Sequence, residues 1–219
     1  SGSAREQAVT KAVEFLRSQQ AADGSFSAQA GPAITALVVS GVLRNGRTAQ
    51  DPLVARGLKY VEGFVKPDGG IYQPESTHRN YETCVAIVCF AAANKDGKYD
   101  TLLKKADAFV KGLQWDETED QKPTDINYGG AGYGRSKRPD LSNTSFFLDA
   151  LQASGNGPDD EAVKKALVFV SLCQNLESAY NTTPYAAKIP FGGVYDTSAA
   201  GGESQAGKTD EGGLSSYAS

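Results

Sequence analysis

The sequence contains no methionine, one histidine, one tryptophan and only three cysteines in 219 residues. Cys84, Cys89 and Cys173 form no Cys-x-x-Cys pair, which argues against a disulfide scaffold and against a zinc cluster. The net charge of −4 gives no positive field for generic nucleic-acid binding. The longest apolar run, Val85–Ala93, is under half of the ~20 residues that a membrane span needs. These absences leave a mildly acidic globular chain that carries no signal for a compartment.

A repeated pattern occupies nearly the whole chain. Each repeat has an amphipathic helix with a late aromatic residue, then a glycine-aromatic turn, then a second helix that is apolar nearly all round. The aromatic residues that align the repeats are Phe15, Tyr60, Phe109 and Phe169. We expect one domain over residues 1–219 with repeats at about 8–52, 53–100, 101–160 and 161–219. The missing methionine and the incomplete fourth repeat predict a chain truncated at its C-terminus.

The two helices of a repeat differ in where they are polar. In the first repeat, Ala8, Val9, Ala12, Val13 and Leu16 form one apolar stripe. The second helices, predicted at Ile34–Leu43, Thr83–Ala93 and Asn143–Ala153, are apolar on most faces and need burial on most faces. We therefore expect an all-α fold, an α/α toroid in which an inner ring of these apolar helices is surrounded by the one-sided helices. An open helical solenoid is the alternative.

The turn motifs carry a family resemblance. Phe15-Leu16-x3-Gln20 with Gly24-Ser25-Phe26 resembles the QW repeat of squalene and oxidosqualene cyclases. The third and fourth repeats keep the first half of this motif, with Gln114 and Gln174, whereas the second has Val65. The Gly-Gly-x-x-Tyr turns are similar to those of protein prenyltransferase β-subunits. The resemblance implies a terpenoid cyclase-like toroid that binds or converts a long apolar isoprenoid, without a cofactor.

The resemblance also places the chemistry at the start of the third inner helix. Prenyltransferase β-subunits carry a zinc-binding Asp-x-Cys there, and class II terpene cyclases carry Asp-x-Asp-Asp-Thr. Asp140 and Thr144 match, but Ser142 stands where the zinc-binding Cys is found, and Ser142 and Asn143 replace the two inner acids of the cyclase motif. The resemblance therefore implies no metal site. Only Asp140 and, in the second repeat, Glu82 remain as candidate catalytic acids.

Both acids have simpler interpretations. Asp140 can cap the helix that follows it, and Glu82 can form a salt bridge with Arg79 or with an outer helix. A third interpretation treats the two carboxylates as the pair of a hydrolase or lyase.

The predicted substrate-binding residues are aromatic or polar side chains near the helix starts and in the last loop. Aromatic side chains can stabilise a cationic intermediate, although packing between hairpins and in the core is their default interpretation. The last loop contains Gly202–Thr209, which fits a phosphate-binding pattern but lacks the flanking strand and helix that such a site needs. The predicted substrate-binding set is Tyr81, Ser142, Asn143, Thr144, Phe146, Tyr133, Glu203 and Asp210.

Two functions remain open on this basis. The first is a cyclase-like enzyme that protonates an isoprenoid. The second is a non-catalytic toroid that binds a lipid or a protein partner, because a fold does not fix a function. Neither involves nucleic acid or a membrane span.

Overall fold

The computed structural model describes residues 2–134, 138–174 and 176–182, and within them the chain is helical. No strand is formed in this part, where an isolated bridge pairs Val65 with Ile71. The predicted all-α class is confirmed. The run Arg135–Lys137, the phosphate-binding pattern and the predicted site residues Glu203 and Asp210 lie outside the described residues. The helices are α1 (Ala4–Gln19), α2 (Pro32–Arg44), α3 (Pro52–Glu62), α4 (Arg79–Ala93), α5 (Asp100–Lys111), α6 (Leu141–Ala153) and α7 (Glu161–Leu172).

The chain divides between Phe109 and Val110 into two compact units. In the first unit, α2 packs against both α3 and α4, around a core that includes Val39, Leu53 and Phe90. In the second unit, α6 packs against α7, and Phe147 and Phe169 are fully buried. Each unit therefore contains its own paired helices and its own apolar core.

The helix boundaries follow from local sequence. The Asp51 carboxylate accepts a hydrogen bond from the Leu53 N–H at 2.9 Å, and Pro52 is the first residue of α3. The apolar helices α2, α4 and α6 cover the three predicted inner segments. Among the described residues, no helix is both long and apolar enough to cross a bilayer.

Burial of the apolar helices is less uniform than their sequences predict. Helix α4 meets the prediction, since ten of its 15 residues are buried. Helix α2 does not, because Leu37 is 40% exposed. The apolar stripe of α1 also stays largely uncovered, since Val13 is its one buried member, and Phe15 of the same helix is 63% exposed. Sequence patterns mark which helix faces can be buried, but the neighbours available decide which ones are.

Candidate functional site

The glycine turns are built in the same way three times. The residue that follows the Gln position of the motif donates its N–H to the carbonyl of the residue after the glycine. Its own carbonyl accepts the N–H of the glycine, so the turn is closed from both sides. The three pairings are Ala21 with Ser25 and Gly24, Lys66 with Gly70 and Gly69, and Trp115 with Gly130 and Gly129, at 2.6–3.0 Å. The repeat read from the sequence is thus a repeat of backbone geometry.

A glycine is required in each turn for two reasons. Its φ lies between 81° and 92°, where a side chain is disfavoured. A Cβ atom would also lie closer than 3.0 Å to a backbone carbonyl oxygen of α3, α5 or α7, respectively. The close pairs are Gly24 with Arg56, Gly69 with Lys105 and Gly129 with Lys165. The missing side chain therefore lets each turn contact the backbone of that helix directly.

A threonine in the first turn of each apolar helix holds the same turn from the other side. The Thr83 hydroxyl accepts the Ile71 N–H at 3.0 Å and donates to the Arg79 carbonyl at 2.7 Å. Thr35 binds the Phe26 N–H at 2.8 Å, and Thr144 binds the Ala131 N–H at 3.0 Å. Thr144, which was predicted to bind substrate, therefore holds a turn in the same way as Thr35 and Thr83, for which the motifs predicted no role. The sequence did contain a signal for this structural role, because each of the three threonines follows its glycine turn at the start of an apolar helix.

The glutamines of the QW-like motif link neighbouring hairpins. The Gln114 amide nitrogen donates to the carbonyls of Gly129 and Ala162, both at 2.9 Å, and the side chain is 1% exposed. Gln20 makes the matching bonds to Gly24 and Leu53 at 3.0 and 2.9 Å. Val65 occupies this position in the second repeat and has no such amide; it is 40% exposed. The motif residues that resemble the cyclases are therefore structural here.

Glu82 is buried and held as a hydrogen-bond acceptor. Its Oε2 accepts the Gln73 N–H at 2.7 Å, and its Oε1 accepts the Ser76 hydroxyl. No cation among the described residues forms an ion pair with it, so the expected salt bridge with Arg79 or an outer helix is wrong. The loop that precedes α4 folds back over the helix start and supplies both donors. Sequence spacing could not show this, because the donors depend on the path of that loop.

Asp140 caps α6, as its simpler interpretation predicted. Its Oδ1 accepts the Asn143 N–H at 2.8 Å, and its Oδ2 accepts the Asn143 side-chain amide at 2.7 Å. Asn143 is 1% exposed, and its Oδ1 has no hydrogen-bond partner among the described residues. Asp140, Asn143 and Thr144 therefore form one buried cluster at the helix start.

The remaining described members of the predicted set are half-buried. Ser142 and Phe146 lie on the first turns of α6, and Tyr133 lies in the preceding loop, all in the second unit. Tyr81 lies on the first turn of α4, beside Glu82, in the first unit. The structure therefore places the predicted residues in two local groups, one at each helix start. In the part of the chain that the structure describes, no three His, Cys, Asp or Glu side chains group as metal ligands would.

The packing role of one turn aromatic is confirmed. Tyr72 stacks on Phe109 of α5 with ring centroids 5.6 Å apart, and its hydroxyl donates to Asp68 at 2.7 Å. Burial, the Asp68 hydrogen bond and the Asp68 charge raise the pKa of Tyr72, so the hydroxyl stays protonated at neutral pH.

The first unit contains a pocket of about 810 Å³ at the opposite end of its helices from the glycine turns. It lies where α2 and α4 end, along α3, and none of the predicted site residues lines it. Its volume falls within the ~300–1,000 Å³ of small-molecule sites. The apolar part of the wall consists of Leu43, Ala55, Leu58, Ala92, Ala93 and the ring of Tyr99.

The deeper wall of this pocket is buried and is held by ring packing and hydrogen bonds. Leu58, Ala93 and Tyr99 are at most 5% exposed, and Tyr99 packs on Phe90 with centroids 4.7 Å apart. The Tyr99 hydroxyl donates to Glu62 at 2.7 Å, and Lys98 binds both groups at 2.9 Å. These hydrogen bonds raise the pKa of Lys98, so its ammonium and the Glu62 carboxylate stay paired.

Comparison with known proteins assigns neither a family nor a function to this chain. No family model matches the chain, and no curated protein matches it either.

Proposed function

We propose that this chain is a non-catalytic binding module, a toroid of helical hairpins that holds a lipid. The observation that carries the proposal is that all four oxygens of the two candidate acids accept hydrogen bonds from the protein itself. A cyclase acid must present an O–H to its substrate. Backbone N–H groups cannot exchange roles with such an acid, so two of the four oxygens, one on each acid, are committed as acceptors.

The sequence at the third helix start supports the same proposal. Ser142 and Asn143 stand where the resembling cyclases carry acids, and neither side chain can protonate an alkene. The helix starts are instead occupied by contacts that fix the turns. The apolar pocket of the first unit supports a lipid ligand, since it combines a buried floor with the volume of a small-molecule site.

The experiment incubates the full chain with squalene and with farnesol, followed by native mass spectrometry and by gas chromatography of the extracted lipid. We expect a bound ligand that is recovered unchanged. Glu82→Gln and Asp140→Asn keep the shape of each side chain and remove its acid, and we expect equal ligand binding in both variants.

A ring product that disappears in either variant would overturn the proposal and establish acid catalysis. Absence of binding to every lipid, with binding of a protein from a defined two-hybrid screen, would overturn the lipid assignment in favour of a protein-binding toroid.

A further inference from the structure

The rim of the first-unit pocket is strongly basic although the whole chain is acidic. The lining residues include five cations and two acids, which is a local charge of +3 in a chain of net charge −4. The acids are Glu62, which Lys98 and Tyr99 bind, and Asp96, which accepts a backbone N–H from Lys98 at 3.1 Å. The other cations at the rim are Arg44, Arg47, Lys59 and Lys95.

These four cations are not used by the fold. Arg44, Lys59 and Lys95 have no side-chain hydrogen bond or ion pair within the described residues, and all are exposed. Arg47 has only a longer-range attraction to Asp51, whose carboxylate is already bound by Arg17 at 3.1 Å. Four like charges that converge on one pocket repel one another, so an anion held among them would relieve that repulsion.

The helix dipoles at this pocket are too small to neutralise the positive charge of its side chains. Helices α2 and α4 end at this pocket, and each C-terminus carries roughly half a negative charge. Helix α3 runs along the pocket with both of its ends beside it, so its two end charges offset each other. Two C-termini thus supply about −1, which is a third of the +3 on the side chains. A positive excess remains above the apolar floor.

We infer that the ligand of this pocket is an anionic amphiphile. Its apolar chain lies against Leu58, Ala93 and Tyr99, and its carboxylate or phosphate head is bound by Arg44, Arg47, Lys59 and Lys95. Guanidinium groups suit such heads because they donate two parallel hydrogen bonds. This inference rests on the proposed lipid-binding function and specifies both the site and the class of lipid.

The test measures binding of four probes to the full chain by calorimetry, below the micelle concentration: dodecyl phosphate, dodecanoate, dodecanol and inorganic phosphate. We expect both anionic amphiphiles to bind at least tenfold more tightly than dodecanol, and inorganic phosphate to bind weakest. Ala55 is exposed on α3 at the pocket wall, and Ala55→Trp fills the pocket from its rim. We expect this variant to abolish binding, whereas Ala8→Trp on exposed α1 does not.

The charge is tested by a matched pair of triple variants. Arg44→Ser, Lys59→Ser and Lys95→Ser together remove three rim cations, and we expect about tenfold weaker binding of dodecyl phosphate with dodecanol unchanged. The control removes the same charge from exposed residues away from the pocket: Arg5→Ser, Lys11→Ser and Lys104→Ser.

The possible failures are distinguishable. Equal binding of dodecanol and dodecyl phosphate, abolished by Ala55→Trp, would overturn the anionic head and leave lipid binding standing. Inorganic phosphate binding as tightly as dodecyl phosphate would overturn the amphiphile in favour of a free anion. An equal loss in both triple variants, or binding that Ala55→Trp leaves intact, would overturn the site. Absence of binding to all probes would overturn the inference together with lipid binding.

Discussion

The threonine in the first turn of α4 gives the sharpest test of how the repeats are held together. Thr83 satisfies the N–H of Ile71, a residue with no exposed surface, at 3.0 Å. Valine has nearly the same shape and a similar helix propensity, so Thr83→Val removes the hydroxyl and little else. The Arg79 carbonyl keeps its helical partner, whereas the Ile71 N–H becomes buried without one. An unsatisfied buried donor costs about 1–3 kcal/mol.

We expect Thr83→Val to lower the free energy of unfolding of the first unit by about 2 kcal/mol. Urea titration followed by circular dichroism measures this loss. Hydrogen exchange of the Ile71 amide, read by NMR, is expected to accelerate about thirtyfold if that amide exchanges through unfolding of the unit. Thr144→Val is the matched variant in the second unit, with Ala131 as its reporter amide.

The control for Thr83→Val is Thr10→Val, on the exposed face of α1, with an expected change within about 0.5 kcal/mol. The reasoning is refuted if Thr83→Val is no more destabilising than Thr10→Val. It is refuted equally if exchange at Ile71 stays at its original rate, because the hydroxyl then contributes nothing to that amide.

Three further predictions concern a glycine, an ion pair and the thiols. Gly129→Ala is expected to destabilise the second unit by about 2–5 kcal/mol in urea titration, since it adds a clash with the Lys165 carbonyl to the cost of positive φ. Gly46→Ala, where φ is +86° in open space, should cost only about 1–2 kcal/mol, and equal losses would contradict the clash. Burial acts to raise the pKa of Asp116, but hydrogen bonds and the charge of Lys165 outweigh it and lower that pKa. The lowered pKa of Asp116 therefore stabilises the folded chain fully above the unfolded pKa of about 3.9. This contribution disappears as pH falls through the folded pKa of Asp116. Lys165→Met should flatten the acid side of a plot of urea midpoint against pH, and an unchanged plot would contradict the assignment. Burial raises the pKa of Cys89 to about 12, and all three thiols are buried, so a thiol-specific disulfide reagent should react only after urea unfolding. Rapid reaction of the native chain would contradict that burial.

Local signals in the sequence determined much of the fold. Asp51 and Pro52 predict the start of α3 because a cap and a first-turn proline act within one turn of helix. The glycine turns were predictable because a positive φ restricts the residue type at a single position. The repeat itself was visible because the same short-range chemistry recurs at each turn.

The contacts between segments distant in sequence were decided only by the tertiary structure. The partners of Glu82 come from a loop that folds back over α4, so its role as an acceptor could not be read from its neighbours. The basic pocket assembles cations from the ends of three helices, and each of them taken alone is an ordinary surface residue. Side-chain identity and helix period are local properties of the sequence, whereas burial, convergence of charge and the choice of hydrogen-bond partner depend on where the chain returns in space.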